Sequence, residues 1–283
     1  MEGWMPVYRA LLLLCLLWGF NWVVMKVAND FFSPTFFAML RFSSGAAILL
    51  VITQVKRIPL PDRRYWPWIA FTGATQIAFC NAAMQTSLQT LGAGLAAMLN
   101  YTMPIWVAIL AKIFLKERLS GRKLAGIALS LSGLGLLLNV DVSGDWSAIL
   151  LALSAAMVWA AGNVAMKGKL MGCDLTALTA WQMTVGAVVL AIYTAVIGDW
   201  RAEWNGLSIA CVAYNGALAS AVAFILWCYL IKHMEASKAA ISSLAVPVVG
   251  VVSGIIFLGE SLTLAMGAGM LLVFAGIVLA QKG

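Results

Sequence analysis

The chain alternates between long apolar segments and short polar connections along all 283 residues. A bilayer core about 30 Å thick needs about 20 apolar residues in each spanning α-helix, and most of these segments have that length. Ten of them can be placed, near residues 7–27, 34–54, 66–88, 91–113, 121–139, 146–166, 175–197, 205–231, 236–258 and 262–281. The pattern predicts an all-α integral membrane protein with ten transmembrane helices and no room for a soluble catalytic domain.

Composition supports this prediction. Apolar residues make up 63% of the chain and charged residues 10%, with a mean hydropathy of +0.96, whereas a soluble domain has about half apolar and a quarter charged residues. The first apolar segment lacks a small-residue cleavage site, so we expect a mature helix rather than a signal peptide. The five cysteines show no metal-ligand spacing, and we expect neither a metal nor a cofactor.

The net charge of +7 is compatible with nucleic-acid binding or with the excess of basic residues on the cytoplasmic side of membrane proteins. Position along the chain favours the second interpretation, because alternate connections are rich in Lys and Arg. Fifteen of the 18 basic residues fall on one side: Arg9; Lys56, Arg57, Arg63 and Arg64; Lys112, Lys116, Arg118, Arg122 and Lys123; Lys167 and Lys169; Lys232 and Lys238; and Lys282. This asymmetry predicts a multi-pass protein of the cell membrane with both termini cytoplasmic, and no nucleic-acid partner.

Two stretches of the chain repeat one another. FLKERLSGRKLAG begins at Phe114 and FLGESLTLAMGAG at Phe257, an offset of 143. The aligned pairs include Pro104 and Pro247, Glu117 and Glu260, Ser120 and Thr263, Gly126 and Gly269, Gly133 and Gly276, and, at an offset of 141, Trp18 and Trp159. The chain is therefore predicted to consist of two five-helix repeats, residues 1–140 and 141–283. Because five is odd, the second repeat is inverted in the membrane, a recurrent plan in transporters.

These paired motifs, at matching positions in a ten-helix chain, resemble the EamA family of the drug/metabolite transporter superfamily, and the resemblance covers essentially the whole chain. It implies an inner-membrane carrier, often an exporter of amino acids or other small metabolites. It also implies a cavity lined mainly by the first, third, fourth, sixth, eighth and ninth helices. The fifth and tenth helices are expected at the side.

Candidate substrate-binding residues are polar or aromatic side chains within the apolar segments. Trp18, Asn21 and Trp22 share one face of the first helix, and Trp159 and Asn163 repeat much of that stripe in the sixth. Further candidates are Gln76, Asn81, Asn100, Tyr101, Tyr214, Trp227 and Ser243. Such residues mark solute pathways or form hydrogen bonds between helices. The set is uncharged, which favours a neutral or zwitterionic solute.

Three further features each allow a structural and a functional interpretation. Pro104 and Pro247 are either simple kinks or hinges that shape the cavity. Glu117 and Glu260 stand just before Ser120 and Thr263, good N-caps for the fifth and tenth helices, and a carboxylate there faces the positive end of a helix dipole. A role in proton coupling is the sharper alternative. Arg41, inside the second segment, either grips a substrate carboxylate or extends its head group outward.

We therefore expect a secondary, non-ATP transporter that exports amino acids or related neutral or zwitterionic compounds by alternating access. The alternative is a non-transporting membrane scaffold or lipid-binding protein. An enzyme is not expected, because the chain has one histidine and no catalytic cluster. No carboxylate is placed at the bilayer midplane, which predicts weak proton coupling. The expected partners are a small-molecule solute, membrane lipids and a second copy of the chain in a homodimer.

Overall fold

The computed structural model describes residues 6–87, 91, 93–138, 145–258 and 263–283, and these are almost entirely helical. The α-helices are α1 (Val7–Phe31), α2 (Pro34–Val55), α3 (Trp66–Thr72), α4 (Cys80–Ser87), α5 (Ala93–Asn100), α6 (Met103–Phe114), α7 (Gly121–Leu137), α8 (Trp146–Ala165), α9 (Leu175–Ile197), α10 (Gly206–Ala213), α11 (Ala223–His233), α12 (Ala236–Ser242), α13 (Ala245–Leu258) and α14 (Leu264–Gln281). One isolated β-bridge joins Phe32 and Ala202, and turns and short loops connect the helices within these ranges.

Eight stretches of the described chain are long and apolar enough to cross a membrane, as expected for a multi-pass membrane protein. They are Val7–Phe31, Pro34–Val55, Ala97–Phe114, Trp146–Leu170, Leu175–Ile197, Gly206–His233, Ala236–Phe257 and Leu264–Gln281. The predicted third segment is helical from Trp66 to Ser87, but it carries several polar residues. The predicted fifth corresponds to α7, which has 17 residues. The count of ten spans, and the repeat boundaries at 140 and 141, stay predictions.

Two of the membrane-spanning stretches are interrupted at equivalent positions. The first breaks between α5 and α6 and the second between α12 and α13, 142 residues later, which is within one residue of the repeat offset. Pro104 is the second residue of α6, and Pro247 is the third residue of α13. A proline is tolerated in the first turn of a helix because its missing N–H has no partner there anyway. The two prolines therefore begin new helical segments and do not bend continuous ones; their role as hinges stays a prediction.

Three π-helical segments interrupt the α-helical hydrogen bonding. Gly73–Phe79 joins α3 to α4, Tyr214–Val222 joins α10 to α11, and Met166–Leu170 extends α8. When the two halves are aligned in sequence at the offset of 143, Gly73–Phe79 falls within Tyr214–Val222. π-Helical turns inside α-helices occur frequently at functional sites. The matched pair lies on either side of the centre of the protein, next to the cavity described below.

Glycines bring α7 and α14 into backbone contact. A Cβ atom on Gly126 would lie 2.5 Å from the carbonyl oxygen of Gly276, and one on Gly133 would lie 2.6 Å from that of Gly269. The Ser130 hydroxyl donates to the Val273 carbonyl at 3.1 Å. Residue numbers rise along one helix as they fall along the other, so the two helices are antiparallel. These glycines therefore allow the two helices to pack closely, and equivalent helices run in opposite directions, as inverted halves require.

A second type of glycine contact occurs twice, once from each half. A Cβ atom on Gly45 in α2 would lie 3.0 Å from the Gly216 carbonyl oxygen, and one on Gly186 in α9 would lie 3.0 Å from that of Gly73. Gly45 is equivalent to Gly186, and Gly216 to Gly73. Each half therefore packs its second helix against the π-helical segment of the other half, and the two contacts are related by the repeat.

The predicted N-caps of α7 and α14 are confirmed. The hydroxyl of Ser120 accepts a hydrogen bond from the Lys123 amide, and that of Thr263 accepts one from the Met266 amide, each at 3.2 Å. The expectation that Glu117 faces the N-terminus of the fifth helix is wrong. Its carboxylate accepts from the backbone amides of Ala236, at 2.7 Å, and Ser237, at 3.2 Å, at the N-terminus of α12 in the other half. Glu260 lies outside the described residues.

Replacing Gly133 by Ala should destabilise the protein by about 1–3 kcal/mol, because the added methyl group overlaps the α14 backbone. The matched control is Gly267→Ala in α14, where an added Cβ meets nothing within 4 Å. That change should be neutral or stabilising by up to about 1 kcal/mol, since Ala is the better helix former. Thermal unfolding of both variants in detergent measures the difference. Equal stability of the two variants would contradict the close contact between α7 and α14.

Candidate functional site

A cavity of about 190 Å³ lies between the two halves at the centre of the helical bundle. Helices α1, α2, α4, α8 and α11 and both helix interruptions contribute side chains to it. Its aromatic wall consists of Trp18, Trp22, Phe42, Trp159, Phe224 and Trp227. Its polar lining consists of Asn21, Arg41, Asn81, Asn100, Tyr101 and Ser243. Three methionines and a valine complete it: Met25, Met84, Met103 and Val246.

Most of the lining occurs in equivalent pairs. Ten of the sixteen lining residues form five pairs related by the repeat: Trp18 and Trp159, Asn81 and Phe224, Met84 and Trp227, Asn100 and Ser243, and Met103 and Val246. The other six, Asn21, Trp22, Met25, Arg41, Phe42 and Tyr101, all belong to the first half. Trp22 and Met25 lie in the C-terminal part of α1, and Arg41 lies in the N-terminal part of α2. The cavity therefore extends from its symmetric centre towards the end of the bundle where α1 and α2 join.

The opposite end of the bundle is held together by charged side chains that connect the halves. There the buried Lys123 side chain contacts Glu235, besides donating to the Arg118 carbonyl at 2.8 Å. Lys167 donates to the carbonyls of Ile231, at 2.7 Å, and Met234, at 2.9 Å, at the C-terminus of α11. The Lys123 contact with Glu235 and the Glu117 contacts to α12 connect the two halves on one side of the cavity, whereas the Lys167 bonds lie within the second half.

The Trp18 ring packs edge-to-face on Trp159 and Phe224 and at a tilted angle on Trp227, beside the cavity. The Trp18 ring centroid lies 5.7 Å from that of Trp227, 5.6 Å from that of Phe224 and 6.4 Å from that of Trp159. The Trp18 indole donates to the Ala219 carbonyl at 3.0 Å, which fixes the ring against the π-helical segment. The buried Trp159 Nε1 has no hydrogen-bond partner among the described residues. The cavity thus offers a large apolar surface with an unused donor in its wall.

Arg41 places its guanidinium at the cavity and is only 6% exposed. Its Nε donates to the Ser220 hydroxyl at 3.3 Å, its Nη1 lies 3.6 Å from the Met25 sulfur, and its Cζ lies 4.6 Å from the centroid of the Phe42 ring. No carboxylate of the described chain lies within 4 Å of it. The resemblance implied that the second helix is not a main cavity helix, but α2 contributes both Arg41 and Phe42.

A chain of amide hydrogen bonds is buried beside the cavity. Gln182 Nε2 donates to Gln76 Oε1 at 2.8 Å, and Gln76 Nε2 donates to Asn163 Oδ1 at 2.7 Å. The same Asn163 oxygen accepts from Trp227 Nε1 at 2.9 Å. The three amide side chains are fully buried. Although Gln182 Oε1 has no partner among the described residues, the bonds within this chain favour one arrangement of the surrounding helices, here α8, α9, α11 and the first π-helical segment.

Nine of the twelve residues predicted to bind substrate line the cavity: Trp18, Asn21, Trp22, Asn81, Asn100, Tyr101, Trp159, Trp227 and Ser243. Gln76 and Asn163 instead belong to the buried amide chain. Tyr214 donates its hydroxyl to the Leu17 carbonyl at 2.9 Å and packs its ring 5.4 Å from that of Phe20. That the nine contact substrate stays a prediction.

Sequence reasoning missed the apolar lining residues Phe42, Met84, Met103, Phe224 and Val246. Apolar side chains at a cavity cannot be told from those that face lipid when almost every neighbour is apolar. The internal repeat did contain a usable signal, because Phe224 is equivalent to the predicted Asn81, and Met84 is equivalent to the predicted Trp227. Extending each predicted position to its partner in the other half identifies two of the five.

Comparison with known proteins gives matches along the whole chain. Residues 5–139 and 146–281 each match the EamA-like transporter family. An uncharacterized transporter of Bacillus subtilis, YoaV, is 28% identical over 270 residues, 93% of this chain and 92% of that protein. A probable amino-acid metabolite efflux pump of Salmonella typhimurium is 29% identical over 280 residues, 94% of this chain and 91% of that protein. A solved crystal structure matches with a TM-score of 0.83, at 18% identity, over 98% of this chain and 96% of that chain.

Replacing Asn163 by Ala should lower the free energy of unfolding by about 2–4 kcal/mol, because each buried donor left without an acceptor costs about 1–3 kcal/mol. The donors concerned are Gln76 Nε2 and Trp227 Nε1. The matched control is Asn100→Ala, which removes a cavity side chain that has no hydrogen bond to any described residue. It should change stability by less than about 1 kcal/mol.

Chemical or thermal unfolding in detergent distinguishes these outcomes. If Asn163→Ala unfolds at the same point as the wild type and Asn100→Ala, the amide chain does not stabilise the bundle. In that case Asn163 would return to being a candidate for substrate contact.

Proposed function

Because the chain belongs to the EamA-like transporter family, we propose that it is a secondary carrier that exports amino acids or related zwitterionic metabolites across the cell membrane. The observation that carries the proposal is the central cavity, lined by tryptophans, neutral polar groups and one cation. Such a lining suits a small solute with both apolar and polar parts. A relative named as a probable amino-acid metabolite efflux pump supports the solute class and the direction.

The distribution of paired and unpaired lining residues around the cavity supports alternating access. The five equivalent pairs surround its centre, whereas the six unpaired lining residues all lie towards one end. If the two halves exchange conformations, the equivalents of those six residues line a cavity that extends to the other end. These equivalents include Met166 and Gln182, both fully buried in this structure. The contacts of Glu117 and Lys123 with the second half then have to separate.

The membrane orientation that we propose keeps both termini cytoplasmic, on the strength of the distribution of Lys and Arg. The charged contacts then lie at the cytoplasmic end, and the cavity extends towards the outer end. The solute gradient is proposed as the main driving force, because no described carboxylate lines the cavity. A titratable group within the membrane is the usual means of proton coupling.

Purified protein in liposomes should catalyse flux of radiolabelled L-leucine, L-methionine or L-phenylalanine above the rate of protein-free liposomes. Trp159→Ala should lower that flux at least about tenfold, which corresponds to the loss of about 1.4 kcal/mol of aromatic contact. The matched control is Trp146→Ala at the exposed start of the same helix, which should leave flux unchanged.

The same liposomes test the driving force and the alternative function. With the membrane voltage clamped, an imposed pH gradient should not concentrate the solute against its own gradient. Flux no greater than in protein-free liposomes for every amino acid of the panel would contradict the proposed function. It would favour a membrane scaffold or lipid-binding protein.

A further inference from the structure

Arg41 is a buried cation without a counter-ion among the residues that the structure describes. A guanidinium has five N–H donors, and the described residues accept only two of them, through the Ser220 hydroxyl and the Met25 sulfur. Thioether sulfur is a weak acceptor. A charge at such a place in a membrane protein is costly unless it is paired. The remaining donors therefore require an acceptor that no described residue supplies, and Arg41 lines the cavity.

Asn21 lies next to this guanidinium and has an unused acceptor. Its Nδ2 donates to the same Met25 sulfur, at 3.1 Å, so both side chains converge on one atom. Asn21 is 6% exposed, and its Oδ1 is buried with no hydrogen-bond partner among the described residues. A buried acceptor without a donor is also unfavourable. The cavity thus presents unsatisfied donors on a cation beside an unsatisfied neutral acceptor.

We propose that Arg41 binds the carboxylate of the transported solute and that Asn21 Oδ1 accepts a hydrogen bond from its ammonium group. Guanidinium and carboxylate groups match in a two-bond geometry, and charge-assisted bonds of this kind are the strong ones. The apolar side chain of the solute then faces the rings of Trp18, Trp159 and Trp227. This inference rests on the proposed function and specifies it, because it makes a free carboxylate a requirement for binding.

The arrangement also predicts which related molecules are rejected. A primary amine or an amino-acid amide brings a positive charge to Arg41 with no carboxylate to offset it, and like charges in a poorly solvated site repel. A carboxylic acid that lacks the ammonium group pairs with Arg41 but leaves the Asn21 oxygen without a donor. The expected order of affinity is therefore amino acid, then carboxylic acid, then amide or amine.

The first test uses the wild-type protein in lipid nanodiscs. L-Leucine, L-methionine and L-phenylalanine are compared with their amides by equilibrium binding, and L-leucine is also compared with 4-methylpentanoate and 3-methylbutylamine. The acid should bind at least about tenfold more tightly than its amide, as expected for the loss of a charge-assisted pair. Equal affinity of acid and amide would overturn the inference while leaving an observed amino-acid flux, and so the proposed function, intact.

The second test compares variants. Arg41→Gln introduces the neutral side chain that the other half carries at its equivalent position, Gln182, and should bring acid and amide to within about twofold of one another. Arg41→Lys keeps the charge but loses the two-bond geometry, so its preference should be intermediate. The matched control, Arg63→Gln, changes an exposed residue and should keep the full preference.

Retention of the acid preference in a folded Arg41→Gln protein would overturn the assignment to Arg41. If neither flux nor binding of any amino acid is detected for the wild type, the proposed function fails and this inference fails with it. The comparison of acid and amide on the wild type needs no variant, so the proposal stays testable even if Arg41→Gln does not fold.

Discussion

Close contact between helix backbones at glycines is the constraint on which the rest of this structure depends. The hydrophobic effect does not drive helices together within a lipid bilayer, so their association relies on van der Waals contact and hydrogen bonds. Gly126 and Gly133 allow α14 to approach α7, and Gly45 and Gly186 allow each half to pack against the π-helical segment of the other. Where tryptophan stands instead, as at Trp18 and Trp159, the helices stay apart. The cavity lies where tryptophan side chains, and not glycines, stand between the helices.

The two halves differ in charge at one pair of equivalent positions beside the cavity. Arg41 and Gln182 occupy equivalent positions, and both reach towards the opposite half. Gln182 finds a neutral partner in Gln76 and becomes part of a buried amide chain. Arg41 finds only a hydroxyl and a sulfur. A carrier whose two access states present different polar groups can bind one solute with different affinity on its two sides. In the proposed alternating-access cycle, the pair Arg41 and Gln182 would produce such a difference.

Much of the fold could be predicted from the sequence, because apolar length, the spacing of the repeat and the hydroxyl caps all act locally. The sequence did not predict the helix interruptions or the π-helical segments. Hydropathy does not show which carbonyl each backbone N–H donates to. Trp18, Asn21 and Trp22, which share one face of α1, line the cavity, and their contact with substrate stays a prediction. Asn163, the equivalent of Trp22, is buried and does not line the cavity. The sequence could not predict this difference, because it does not say towards which end of the bundle the cavity extends.

We propose that equivalent residues of the two halves become accessible from opposite sides of the membrane in alternation. The most direct measurement is the reactivity of single cysteines at Met25, which lines the cavity, and at Met166, its buried equivalent. The five native cysteines are all buried. The account predicts that an impermeant thiol reagent modifies Met25→Cys from one side of the membrane and Met166→Cys only from the other. Modification of both from the same side would contradict it.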